Sequence, residues 1–446
     1  MPLSNRDKQH NEAFGYHIDY FTDNFRREIQ CIRDDVPFIN FDVDSDEDEP
    51  KVFCLSGANA RAFTNLAWEL LGRYIANNTI LEYLGLECVG LTDEKMSQLF
   101  GTLINSDTIK ELDLDYNTFG IEGMRSMVPF LNSCSSKLTK LLLGYNNGID
   151  TECFDLVVRA LRDGVIEELN FIRCVEDISV LETCALPNLT HLNLDYNNIG
   201  REGCIIISNL LQKEGSTLTH LHLEWTGIGD EEAEVLANSL KNNTTLRVLH
   251  FRGNDITDRG GRAFLKLLLD ISSIESTDTS NHTLQECLLA QSDDVNMFQI
   301  WIKRICEAYN QRDMKKGNAK IIMFQLNSQL RKEMCHLQGV EYRSTGNLLA
   351  DIEPVLLPNL PMIIEWIGRC HGQSEIYTAL QSLAPDLLSF VDTKAMLKDR
   401  IISLTEEVAN LNSRLAFKEL GDCAGEGNKG EGGNSEKNKR QRSASS

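Results

Sequence analysis

The sequence predicts a curved α/β solenoid, a right-handed horseshoe of about eight repeats of 28–29 residues, followed by an all-helical C-terminal extension. Three observations predict it. One apolar spacing recurs from 81 to 289, each recurrence is followed by residues at helical spacing, and the composition is that of an ordinary folded chain. Of 446 residues, 42% are hydrophobic and 25% charged.

The recurring unit is L-x-x-L-x-L-x-x-N. Full copies are Ile109, Leu112, Leu114, Asn117; Leu138, Leu141, Leu143, Asn146; Leu189, Leu192, Leu194, Asn197; and Leu246, Leu249, Phe251, Asn254. Variant copies start at Leu81, Ile166 and Leu218, with Val89, Cys174 and Thr226 in the asparagine place, and an eroded copy starts at Ile274. Alternate apolar residues of L-x-L point into the core of a short strand. This predicts parallel strands at 83–87, 111–115, 140–144, 168–172, 191–195, 220–224 and 248–252. The asparagine, at the turn leaving the strand, is expected to bond exposed backbone groups of the neighbouring rung. Ala233, Leu236, Ala237 and Leu240 then follow at helical spacing behind the capping candidate Asp230. Helices are wider than strands, so the strands should line the concave side. The repeat at Ile166 is five residues shorter than its neighbours, which predicts a single helical turn near 178–181, closed by Pro187.

A stride of 28 or 29 with a full helix per repeat resembles the ribonuclease-inhibitor-type leucine-rich-repeat class, which includes Ran GTPase-activating proteins and the sensor ends of NOD-like receptors. The resemblance covers about 81–289. It implies protein recognition through the concave face and adjoining loops.

Outside the repeats, residues 1–50 end in FDVDSDEDEP and read as a disordered acidic arm, with Ser45 a candidate for an acidophilic kinase. Residues 51–80 read as an N-terminal helical cap, and 290–393 as the helical extension. In 394–420, Leu397, Ile401, Leu404, Val408, Leu411 and Leu415 form a heptad seam that either dimerises or packs within the chain. Residues 421–446 are a glycine-rich disordered tail, in which Lys437, Lys439, Arg440 and Arg442 resemble a nuclear-import cluster.

The net charge of −22 repels phosphate backbones, so nucleic-acid partners are not expected. The first residues hold no signal-peptide core, and no apolar run is long enough to span a membrane. Thirteen cysteines without a CxxC pair suit reduced thiols, and hence the cytoplasm or nucleus. No phosphate-binding, zincin, nucleophile-elbow or kinase motif occurs, so neither catalysis nor a cofactor is expected.

Three outward columns mark the candidate binding face. The first holds Tyr116, Tyr145, Tyr196 and Trp225, interrupted by Arg173 and ending at Gly253. The second holds Glu87, Asp115, Asp195 and Glu224, with Glu111, Asp113 and Glu168 enlarging it. The third holds His191 and His220, with His222 and His250 one strand position over. Aromatic anchors beside carboxylates are the composition of a hot-spot surface and select partners with basic patches. The histidines read as a pH-sensitive contact rather than a metal site. The function expected is a non-catalytic protein-interaction scaffold. The alternative is a regulator of a small GTPase resembling Ran GTPase-activating proteins, although that family has about eleven repeats and an acidic tail. Multiple-turnover GTP hydrolysis with a panel of small GTPases separates the two.

Overall fold

The computed structural model describes residues 4–15, 22–36, 52–104, 106–289, 297–307, 320 and 328–340. Within them nine strands form one parallel sheet in sequence order: β1 Val52–Cys54, β2 Tyr83–Gly85, β3 Glu111–Asp113, β4 Lys140–Leu142, β5 Glu168–Asn170, β6 His191–Asn193, β7 His220–His222, β8 Val248–His250 and β9 Glu286–Leu288. Each strand is three residues long, shorter than the five expected. The ladder nonetheless continues past each strand, with Leu86 N–H donating to Asp113 O and Leu114 N–H to Leu142 O.

The register explains the leucine columns. Phe53, Leu84, Leu112, Leu141, Leu169, Leu192, Leu221, Leu249 and Cys287 face one another rung by rung, all of them buried. Behind them lie the helices: α4 Asn65–Ala76, α5 Asp93–Leu103, α6 Ile121–Cys134, α7 Thr151–Ala160, α9 Gly200–Gln212, α10 Asp230–Ser239 and α11 Asp258–Leu268. A four-residue helix, Gly57–Ala60, precedes α4 as α3, and the short repeat carries only Val180–Thr183, α8, as its sequence length requires.

The asparagines do what their position predicts. Asn117 Nδ2 donates to the carbonyls of Leu86 and Leu114 at 2.8 and 2.9 Å, and its Oδ1 accepts Leu91 N–H. Asn146 accepts Asn117 N–H and donates to Leu114, Leu143 and Gly144 carbonyls. Asn197 Oδ1 takes the N–H groups of Cys174 and Val175, both at 2.7 Å, and Asn254 serves Thr226 and Ile228. Cys174 Sγ reaches Leu143 O at 3.3 Å and Thr226 Oγ1 bonds Leu223 O at 2.7 Å, so the substitutes keep the donor and lose the acceptor fork. A second asparagine set, Asn78, Asn243 and Asn281, is buried at the turns entering the strands and accepts two N–H groups each.

Four expectations change. Residues 1–50 are not a uniformly disordered arm: α1 Asn5–Phe14 and α2 Asp23–Asp34 pack on α4, where Phe14 and Phe25 meet Phe63 at 5.4 and 6.0 Å, and Phe63 meets Trp68 at 4.8 Å. The acidic segment 37–50 lies outside the described residues. The segment 51–80 is a rung, not only a helical cap, because β1 pairs with β2. Ile274 begins a helix, α12 Ile274–Asp278, and the last strand starts at Glu286, framed by Leu284, Cys287 and Leu289. Asp230 does not cap its own helix; its Oδ1 accepts Thr257 N–H and Gly260 N–H at the start of α11, both at 2.9 Å. Asp93 treats α6 the same way, accepting Gly120 and Gly123 N–H at 2.7 and 2.8 Å. Beyond the sheet, α13 Met297–Ile305 and α14 Ser328–Gln338 contact α11, and buried Lys320 donates to Leu268 O and Asn281 O.

Replacing Asn146 with Ala leaves several buried backbone groups without partners, and should lower stability by roughly 3 kcal/mol in urea unfolding followed by circular dichroism. The loss should appear as one earlier transition of several rungs, since each rung contacts only its neighbours. Leu223→Asp should unfold the same block outright; a soluble variant with an unchanged melting curve would refute the repeat frame.

Candidate docking face

The aromatic column does not lie on the strands. It lies on the turn that leaves each strand, where Cys88, Tyr116, Tyr145, Arg173, Tyr196 and Trp225 all have φ between 55 and 59°. Left-handed backbone costs a residue with a Cβ roughly 1–2 kcal/mol, so glycine or asparagine is the expected occupant. Here the rings swing outward into one ridge. Tyr116 and Tyr145 stack at 4.4 Å with planes 9° apart, Tyr145 and Tyr196 meet at 6.4 Å and 48°, and Tyr196 and Trp225 run parallel at 6.0 Å and 8°. Tyr116, Tyr196 and Trp225 remain 46–49% exposed. Gly253 ends the ridge because a Cβ there would stand 2.2 Å from the Trp225 indole.

The carboxylate column divides in two. Asp115 Oδ1 accepts Gly144 N–H, and Asp195 Oδ1 accepts Glu224 N–H, both at 2.6 Å and both across to the next rung. Burial, with Asp113 as a close like charge, raises Asp115 to about 7. Burial, opposed by that backbone bond and reinforced by Glu224, raises Asp195 to about 6. These two acids tie rungs together, a role hidden from a reading that counted them as open surface. Glu87 is exposed, Glu111 is half-buried, Glu168 pairs with Lys140 at 2.9 Å, and Glu224 lies 3.7 Å from Arg252 and 3.9 Å from His250.

The histidines are brought together as expected. His191 and His220 are register partners whose rings stack at 3.9 Å and 11°, each with Nδ1 2.8 Å from the hydroxyl of the preceding threonine, Thr190 or Thr219. His222 and His250 meet edge to face at 4.6 Å. Burial, then the neighbouring imidazoles, lowers His222 to about 4 and also lowers His220, so these two are neutral at pH 7. Parallel stacked rings do not converge on a single ion, and among the described residues no group of three or more His, Cys, Asp or Glu is arranged to hold a metal. The repeated Thr-His pair was a readable signal for this stack. The left-handed turn was readable too, because Gly253 occupies the column.

The heptad residues Leu397, Ile401, Leu404, Val408, Leu411 and Leu415, and the basic cluster Lys437, Lys439, Arg440 and Arg442, lie outside the described residues. Among the described residues no helix is long and apolar enough to cross a membrane.

An acid whose folded pKa is raised stabilises the fold when protonated, and that contribution is lost as pH rises through the folded value. For Asp195 the window runs from about 4, where the unfolded chain titrates, to about 6, and for Asp115 it extends to about 7. An Asp115→Asn, Asp195→Asn variant keeps an oxygen for each N–H. Relative to wild type its stability should therefore rise with pH across that window, by roughly 1–3 kcal/mol at pH 8. Denaturant unfolding at pH 4.5 and pH 8 measures the difference.

Residues 135–283 match the family described as the PRAME C-terminal domain. No curated protein sequence matches the chain. Among solved structures, the chain is similar to leiomodin-1 actin-binding site 2, at 14% identity over 42% of this chain and 88% of that one, with a TM-score of 0.29. It is also similar to the tropomodulin C-terminal domain of Caenorhabditis elegans, at 13% identity over 42% and 90% with a TM-score of 0.26. An internalin of Listeria monocytogenes is 21% identical over 43% of this chain and 65% of that one, with a TM-score of 0.27. Parallel rungs in constant register, joined by an asparagine ladder and alternating with helices, make the chain a leucine-rich-repeat protein.

Proposed function

We infer that the chain is a non-catalytic scaffold that binds a protein partner through the concave face of its repeats together with the aromatic ridge on the adjoining turns. One observation carries this reading. Three of the four ridge aromatics combine left-handed backbone with rings nearly half exposed, an arrangement unfavourable for folding that glycine would avoid. Ring stacking offsets roughly 0.5–1.5 kcal/mol per pair, which leaves no net stability to account for the residues. Large rigid rings at fixed positions are what a binding surface uses as anchors.

Partner chemistry follows from the charge. The chain carries −22, and Glu87 and Glu111 flank the first rungs of the ridge, which favours a partner with basic patches. The eleven cysteines among the described residues are all unpaired, which supports a reading of cytoplasm or nucleus. The seam from Leu397 to Leu415 is the proposed dimer contact. Leu404→Glu with Leu411→Glu should then turn a dimer into a monomer in light scattering, and a monomeric wild type at micromolar concentration excludes it.

Tyr196→Gly with Trp225→Gly removes two anchors and relieves the backbone at both turns. The variant should melt within a few degrees of wild type, yet lose roughly 2–4 kcal/mol of partner binding in pull-down and titration. Retention of every wild-type partner would exclude the ridge as the working surface.

A further inference from the structure

The ridge has a spacing as well as a composition. Tyr116 and Tyr145 form a closed stack at 4.4 Å, whereas the next two steps, 6.4 Å from Tyr145 to Tyr196 and 6.0 Å from Tyr196 to Trp225, are too wide for full face contact. Part of each ring face is therefore uncovered at two successive places, the first spanning two rungs with Arg173 between them and the second spanning one. On an extended chain, side chains of one face recur every ~6.6 Å. A helix repeats every ~5.4 Å and a polyproline helix every ~9.3 Å. The 6.4 Å step lies nearest the extended spacing and the 6.0 Å step falls midway between extended and helical, so the two together favour an extended chain.

The species that fits an uncovered tyrosine or indole face on a chain of net charge −22 is a cation, and a planar guanidinium fits it better than an ammonium. Cations already on this face are mostly committed: Lys140 pairs with Glu168, and Arg252 lies against Glu224. Arg173 is the exception. It occupies the rung between Tyr145 and Tyr196, exposed, and places like charge beside the first open step.

Resting on the protein-docking reading above, we propose that the ridge binds an extended segment of a partner protein with arginines at alternate positions, one guanidinium at each open step. The uncovered faces of Tyr145, Tyr196 and Trp225 hold the two guanidiniums, and the net negative charge of the chain steers them in. Specificity comes from the alternation, because contiguous arginines on an extended chain point to opposite sides.

The test uses the full chain and synthetic capped peptides in calorimetric titration at physiological salt, where diffuse attraction between exposed charges is largely screened. The probes are a Gly-Arg alternating heptapeptide, a peptide of the same composition with its arginines contiguous, one with arginines four residues apart, and the alternating peptide with citrulline for arginine. The alternating peptide should bind at least tenfold tighter than each of the other three. The Tyr196→Gly, Trp225→Gly variant should lose at least tenfold, and Arg173→Ala, which leaves the rings in place, should gain twofold to fivefold. Equal affinity for alternating and contiguous peptides, or indifference to both variants, overturns the proposal. If peptides fail to discriminate while the double variant still loses protein partners, this inference fails alone. If the double variant keeps its partners, the docking reading fails with it.

Discussion

A strand three residues long cannot satisfy its own turn, and the side chain of one asparagine solves the problem for two rungs at once. Asn117, Asn146 and Asn197 are buried and Asn254 partly so; each donates to carbonyls on its own rung and the preceding one, and accepts N–H groups that the turn leaves open. The leucine columns supply most of the favourable burial, but hydrophobic contact has no direction and would tolerate slippage. The ladder fixes the register. Every outward position depends on it, because a slip by one residue would move the aromatic and histidine columns onto different neighbours.

With the register fixed, the turn after each strand becomes a place where side chains of successive rungs must meet. The fold uses it for rings, at left-handed positions that glycine would fill more cheaply. Immediately before the left-handed residues stand acids that share one place in the repeat and differ in role. Asp115 and Asp195 are drawn inward by an N–H of the next rung, whereas Glu87 stays in solvent. The face is thus less acidic in practice than its sequence suggests, and more aromatic.

Much of the fold was legible because a solenoid writes one rung many times. Seven of the nine strand starts, the asparagine contacts and the short helix near Val180 follow from spacing alone. What escaped was either unrepeated or a matter of depth. The rung at Val52 has no leucine frame, and the last strand is displaced to Glu286 because α12 occupies the place where the pattern seemed to resume. Spacing gives side-chain direction but not how far a carboxylate sinks, so the roles of Asp115 and Asp195 were invisible. The histidine stack was legible as a neighbourhood, whereas the neutral state of His220 and His222 depends on burial that spacing does not report.

Asp93 and Asp230 each stand at the first turn of one helix and bind the opening N–H groups of the following one. A helix without such a partner leaves its first donors open and is slower to nucleate. At these two junctions the solenoid therefore has a polarity that its near-identical rungs conceal: order passes from N-terminus to C-terminus, one repeat templating its successor. A growing chain emerging from a ribosome would meet a ready cap for α6 and α11 before the residues that need it had been made.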